Sequence, residues 1–162
     1  MITDETSAGR RAAPLHAYLA KEGMDSRQRS VEEVLAFSDD ALERVHDYIQ
    51  WLFPLPTRSM AQPGAPVLSS GEIAAIREDE RALATLRRAA ERMRLFYERT
   101  DGWLTRSDHN HLRISRILQS LRLLAGEEDA RAFYSAIMAR HEAAGAPIDP
   151  RNLGYWVRAM ET

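Results

Sequence analysis

Cysteine is absent from the chain. No disulfide and no thiolate metal site can form, which excludes zinc fingers and cysteine nucleophiles outright. Lysine is nearly absent as well: Lys21 is the single lysine among 22 basic residues, and arginine supplies the rest. With the abundant alanine, this bias reads as that of a GC-rich genome. Neither charge sign dominates, since 22 basic against 24 acidic residues leave a formal net charge of −2 and a pI near 6.2. There is no global pull toward nucleic acid or an anionic membrane, so any polyanion binding must be local. No apolar run approaches the roughly 18 to 20 residues of a membrane-spanning helix, and the richest stretch is interrupted by Arg113, Arg116 and Arg122. No membrane insertion is expected. Residues 1–12 are polar and lack the apolar core of a signal peptide. They read as a flexible start, and a cytoplasmic location is expected. Internal repeats, low-complexity tracts, a G-x-S-x-G elbow, a P-loop and a dinucleotide glycine pattern are all missing.

What is present is the balance of an ordinary globule, with 162 residues, 44% hydrophobic and 28% charged. Nearly every segment has helical period and none alternates as a strand does. Pro14 suits a first helical position, with Leu15, Tyr18 and Leu19 on one face and Gly23 as a stop. Ser30 with Glu33 makes a capping box, and residues 38–40 supply caps for a helix running toward Trp51. Pro54 and Pro56 end that helix, and residues 54–68 form a Pro-rich linker.

Ser69 with Glu72 makes a second capping box. Ile73, Ile76, Leu83, Leu86, Ala90, Met93 and Tyr97 then predict one long helix ending near Arg99. Ser107 or Asp108 caps the next helix, whose stripe of Ile114, Ile117, Leu118, Leu121 and Leu124 reaches Gly126. Glu127, Glu128 and Asp129 suit a following N-terminus, with Phe133, Tyr134, Ile137 and Met138 buried. Asp149-Pro150 opens the last helix, with Leu153, Trp156, Val157 and Met160 on one side. The sum is an all-α, single-domain bundle of about six or seven helices over residues 13–162.

Two segments mix large apolar side chains with polar groups that a plain packing helix does not need. In HDYIQWLFP, residues 46–54, the apolar members are enough to dock a helix. His46 and Gln50 fall four apart on one helical face, and Asp47 and Trp51 on the adjacent one. In HNHLRISRIL, residues 109–118, His109, Arg113 and Arg116 follow i, i+4 and i+7. His109, His111 and Arg113 sit in the first turns, where the macrodipole disfavours cations. An anion there would meet free backbone N–H groups and Arg113, with His109, Arg106 or Arg116 in support. The opposing reading makes Arg113 half of an internal salt bridge, with Asp47 the first candidate partner. Glu43-x-x-His46 matches half of a di-iron pattern, but only one copy exists, and His109-x-His111 points two ways. No metal, cofactor or catalytic residue is assigned. Arg87, Arg88, Arg92 and Arg94 read as a solvated face.

YIQWLFP and HN-x-LRI-x-RIL, with Glu72-Ile73 and the M-x-x-F-Y of residues 93–97 between them, resemble the conserved domain of the opioid growth factor receptor family. The likeness is strongest over residues 35–125. In animals that family is associated with an enkephalin-type peptide and with control of proliferation. The charged tails and repeats of its long members have no counterpart here, so the resemblance implies a compact, bacterial form of the domain, without the receptor activity. It implies a shared fold and a site at the matching positions His46, Asp47, Gln50, Trp51, His109, Asn110, Arg113 and Arg116. The expectation is a non-enzymatic binding domain for an anionic small molecule or a peptide-like ligand. Arg113 would pair with the anion, Asn110 and Gln50 would give directional hydrogen bonds, and Trp51 would wall the pocket. The alternatives are nucleic-acid binding through the arginine-rich faces, an enzyme acting on a phosphorylated small molecule through His46 or His109, and a structural protein that works through a protein partner.

Overall fold

Pro14 has a ring that already holds the helical φ, and it opens the first element of the computed structural model, which describes residues 13–161. The N-terminal stretch read as flexible lies outside the described residues. Among the described residues there are nine α-helices and no strand. The chain divides into two compact units between Leu86 and Arg87.

The first unit holds α1 (Pro14–Leu19), α2 (Val31–Leu35), α3 (Asp39–Arg44), α4 (Ile49–Leu52), α5 (Ser70–Arg77) and the start of α6 (Glu80–Arg99). Serines cap as the sequence predicts: Ser30 Oγ accepts from Glu33 N–H at 3.2 Å and Ser38 Oγ from Ala41 N–H at 3.1 Å. The helix expected to run on to Trp51 breaks instead, because Val45 is extended at φ −85 and ψ 130. The Tyr48 hydroxyl donates to the Leu42 carbonyl at 2.6 Å, the acceptor that the His46 N–H would use if the helix continued. Tyr48 is fully buried, so its hydroxyl needs that partner.

The predicted long helix is also two. Asp79 Oδ1 accepts from Arg81 N–H at 2.9 Å and Ala82 N–H at 3.4 Å, and starts α6 afresh. Its Oδ2 takes the His16 Nε2–H at 2.8 Å, and this bond holds the Asp79 carboxyl below its ordinary range. The Pro-rich stretch after α4 has no helix. It is pinned by Leu68 N–H to the Leu55 carbonyl at 2.9 Å, with both side chains buried.

Glu72 ties the unit together. Within α5 it completes the predicted capping box with Ser69. Its Oε2 also accepts from the Leu15 and His16 N–H groups, at 3.1 and 3.0 Å. The N-cap of α1 is Ala13, whose side chain has no oxygen to offer, so a carboxylate 57 residues away in sequence caps that helix.

The second unit holds the rest of α6 with α7 (His109–Leu124), α8 (Glu127–Ala143) and α9 (Pro150–Glu161). Tyr97 sits among Phe96, Trp103 and Phe133, edge to face at 5.0, 5.2 and 6.5 Å. Trp103 Nε1–H donates to the Tyr97 and Thr100 carbonyls at 3.1 and 2.9 Å, and Arg140 from α8 reaches the same two carbonyls. Together they satisfy the C-terminal end of α6. Gly126 turns the chain from α7 into α8 at φ +121, a backbone that glycine alone adopts without strain. On α9 the buried face is Trp156 with Ala159, and Val157, expected inside, is 40% exposed.

Candidate functional site

The first motif lies in the first unit and the second motif in the second unit. His46 and Asp47 fall in the break between α3 and α4, so the helical face that would pair His46 with Gln50 does not exist. His46 is exposed. Asp47 takes Arg29 Nη2 at 2.9 Å on one oxygen and Arg27 Nε at 3.0 Å on the other. Arg29 in turn donates Nε to Asp25 Oδ2 at 2.7 Å, and Asp25 Oδ1 accepts the backbone N–H groups of Arg27 and Arg29. Asp25 is buried, and Arg29 lies over the Phe37 ring at 5.7 Å. Burial pushes the Asp47 carboxyl up, but the hydrogen bonds and charges of Arg29 and Arg27 outweigh it and hold the carboxyl below its usual range. Sequence reasoning missed this network, although Asp25, Arg27 and Arg29 stand at i, i+2 and i+4. Trp51 is buried edge-on to Tyr18 at 5.4 Å, so it is core. Gln50 is buried too, and its Oε1 has no hydrogen-bond partner among the described residues.

In the second motif the α7 N-terminus carries its own anion. Asp108 Oδ2 accepts the Asn110 N–H at 3.0 Å and the Asn110 Nδ2–H at 2.9 Å. That carboxylate caps the helix and answers its dipole. The other end of the Asn110 amide, Oδ1, accepts from the Tyr97 hydroxyl at 3.1 Å, and Asn110 is 1% exposed. Asn110 therefore serves the fold. His111 does so too. Its Nε2 lies 2.7 Å from the Trp103 carbonyl and its Nδ1 lies 3.0 Å from Asn152 Nδ2. A carbonyl only accepts and an amide NH₂ only donates, so the ring is neutral with its proton on Nε2. Trp156 packs edge-on to that ring at 5.8 Å and donates Nε1–H to the His111 carbonyl at 2.9 Å. Nothing in the spacing of the motif signalled this role.

The remaining nominated residues are cationic or ionisable. His109 is exposed beside Asp108, and Arg106 is exposed with Nε 3.4 Å from Asp149. Arg113 is withdrawn from water at 8% exposure, and Arg116, three residues on, is partly buried. Burial pushes the Arg116 guanidinium down to about 10. The arginine run on α6 is interleaved with acids: Arg87 meets Asp129 at 2.8 Å, and Arg94 meets Glu91 and Glu98. This α6–α8 face lines an open groove of about 390 Å³ that also includes Leu121 and Phe133. A second groove, of about 430 Å³, lies between α7 and α9. No helix among the described residues is long and apolar enough to cross a membrane.

Comparison with known proteins bears on the whole of this arrangement. Residues 10–142 match the opioid growth factor receptor (OGFr) conserved region. The opioid growth factor receptor of Mus musculus is 36% identical over 100 residues, covering 51% of this chain and 16% of the relative. That of Rattus norvegicus is also 36% identical over 100 residues, covering 51% and 17%. The chain thus spans only 16 to 17% of the length of the curated relatives it matches. No solved structure matches.

Proposed function

The chain belongs to the opioid growth factor receptor conserved-region family, and on that premise we propose that it is a non-enzymatic helical interaction domain. It holds an anionic group, carried by a small molecule or a peptide, on the Arg113 and Arg116 side of α7. The carrying observation is that these two guanidinium groups, three residues apart on one helix, are largely withdrawn from water. A guanidinium offers a planar fork for a carboxylate or phosphate, and a charge-assisted bond is stronger where water is excluded. His109 and Arg106 flank the same helix start, beside Asp108 and Asp149 respectively. Asp47, Trp51 and Asn110 support the scaffold. The relatives' printed name, receptor, agrees with a binding role. The cysteine-free composition fits a reducing, cytoplasmic setting.

A thermal-shift screen against nucleotides, phosphorylated sugars, a short oligonucleotide and acidic peptides tests this. A ligand at about 100 times its Kd adds roughly 2.7 kcal/mol. The expected result is a hit that Arg116→Gln abolishes, with the variant's circular dichroism unchanged. A hit equally strong in Arg116→Gln and Arg113→Ala would refute the reading. So would no hit at all alongside a collapsed Arg113→Ala, which would make the arginines internal tethers.

A further inference from the structure

Arg58 stands apart from the other basic residues of the first unit. Its side chain is exposed and makes no hydrogen bond or ion pair with the described residues. It lies in the helix-free run between α4 and α5, where Pro56 and Thr57 are also exposed and Met60 is 93% exposed. That run leaves and rejoins the unit at one place, since the Leu68 N–H donates to the Leu55 carbonyl at 2.9 Å. Residues 56–67 therefore form a surface loop closed at its base.

The peptide bond after Arg58 is equally unheld. Neither the Arg58 carbonyl nor the Ser59 N–H bonds to a described residue, and the nearest tie is the Gln62 N–H on Ser59 Oγ at 3.0 Å. Arg106-Ser107, another arginine–serine pair on a loop, is the contrast. There the Arg106 carbonyl accepts the Asp149 N–H at 3.0 Å and the Asn152 Nδ2–H at 3.4 Å, and the guanidinium lies 3.4 Å from Asp149. Arg27 likewise gives Nε to Asp47 and its own N–H to Asp25. An endoprotease must draw several residues into an extended shape and polarise the scissile carbonyl, so bonds that already hold the arginine or its carbonyl oppose cleavage. Such bonds are present at Arg27 and Arg106 and missing at Arg58.

The chain before this bond is also joined to the chain after it by other means. Glu72 of α5 accepts the Leu15 and His16 N–H groups, Asp79 takes the His16 ring at 2.8 Å, and Arg81 reaches Glu22 at 3.4 Å. Tyr18, Trp51, Leu55, Leu68 and Ile76 are buried in the same unit. We propose that residues 56–67 are a processing loop for an arginine-specific endoprotease, one whose anionic primary pocket takes the Arg58 guanidinium. The reaction is hydrolysis: water adds across the Arg58–Ser59 amide, its C–N bond breaks, and Arg58 ends as a carboxylate while Ser59 becomes an ammonium. The product is a nicked first unit of two pieces held without a covalent link, with both new ends at the surface. The loop uses none of Arg106, His109, Arg113 or Arg116, so the proposal stands or falls independently of the anion site.

Brief digestion of the full chain with trypsin in native buffer, followed by intact mass and size-exclusion chromatography, tests this. The readout is the piece 59–162, which trimming at Arg10 or Arg11 leaves unchanged. It should be the first internal product, and it should co-elute with the piece that ends at Arg58 until denaturant is added. Arg58→Gln should slow internal cleavage by about tenfold or more, because every other bond then waits on local opening of the fold. Arg58→Lys should restore the cut, which a mere change of loop shape would not. Arg58 bonds to no described residue, so the melting temperature of both variants should hold. A first internal cut after Arg27 or Arg106, or an Arg58→Gln chain lost as fast as the parent, would overturn the proposal. Pieces that part without denaturant would overturn the nicked but folded product.

Discussion

Replacing Glu72 by alanine should destabilise the first unit out of proportion to the size of the change. The side chain is 3% exposed, and its carboxylate accepts three backbone N–H groups: Leu15 at 3.1 Å, His16 at 3.0 Å and Ser69 at 3.4 Å. The first two belong to the opening turn of α1, where Ala13 provides no side-chain cap. Removing the acceptor strands donors that water cannot readily reach. Hydrogen bonds to a charged group contribute about 1.5–3 kcal/mol each, and the 3.4 Å bond falls at the weak end. Partial relaxation of α1 offsets some of this, which leaves a loss of about 3–5 kcal/mol for Glu72→Ala. Glu72→Gln keeps the shape but turns an NH₂ toward one set of donors, so a loss of about 1–3 kcal/mol is expected. Urea unfolding followed by far-ultraviolet circular dichroism gives the totals. Amide exchange at Leu15 and His16 locates them, since both should lose protection in the alanine variant while Ile114 and Ile117 in the second unit keep theirs. A loss under about 1 kcal/mol for Glu72→Ala, or unchanged protection at Leu15, would refute the reasoning.

Four further outcomes are expected. Lowering the pH should weaken the first unit as Asp79 is protonated: its carboxyl is held below 3.8, so the stability it contributes is present above that value and lost as pH falls through the folded pKa. Asp79→Asn, which keeps a cap, should flatten that part of an acid titration followed by chemical denaturation. Ala146 has φ +57, so Ala146→Gly should stabilise the protein by about 0.5–1 kcal/mol in urea melts by removing the left-handed penalty of a Cβ. Trp156→Ala should cost about 3–5 kcal/mol by the same assay, because a fully buried indole and its bond to the His111 carbonyl both go. In nitrogen NMR, His111 should appear as the Nε2–H tautomer, with Nδ1 showing the shift of an accepting, unprotonated nitrogen.

Helical class and most caps were legible because they rest on local rules. Ser30, Ser38, Ser69, Asp108 and Pro14 act through bonds within one turn of themselves, and the sequence places them within that reach. The breaks at Val45 and Asp79 were not: at the first the Tyr48 hydroxyl takes the Leu42 carbonyl, and at the second the Asp79 carboxylate caps Arg81 and Ala82 inside a run whose apolar spacing is unbroken. Hydrophobic spacing runs smoothly through both points, so it joins what hydrogen bonding divides. The same blindness governs the site. Asp47 reads as an unexplained acid beside a tryptophan, yet Arg27 and Arg29, about 20 residues upstream, account for it. Asn110 reads as a ligand donor, yet Asp108 and Tyr97 occupy its amide.

These assignments change what the family likeness carries. Glu72, Asp47 and Asn110 are polar members of the segments that define the resemblance, and each spends its hydrogen bonds on backbone or side chains of its own unit. Polar residues used this way fix helix starts and loop paths, so a chain sharing them shares a fold whatever it binds. Ligand choice is then not carried by these three residues. Tyr155 and the rest of α9 lie beyond residues 10–142, so one wall of the α7–α9 groove falls outside the segment that establishes the family. Any role of that wall is a property of this chain itself and is not carried by the relatives' printed name.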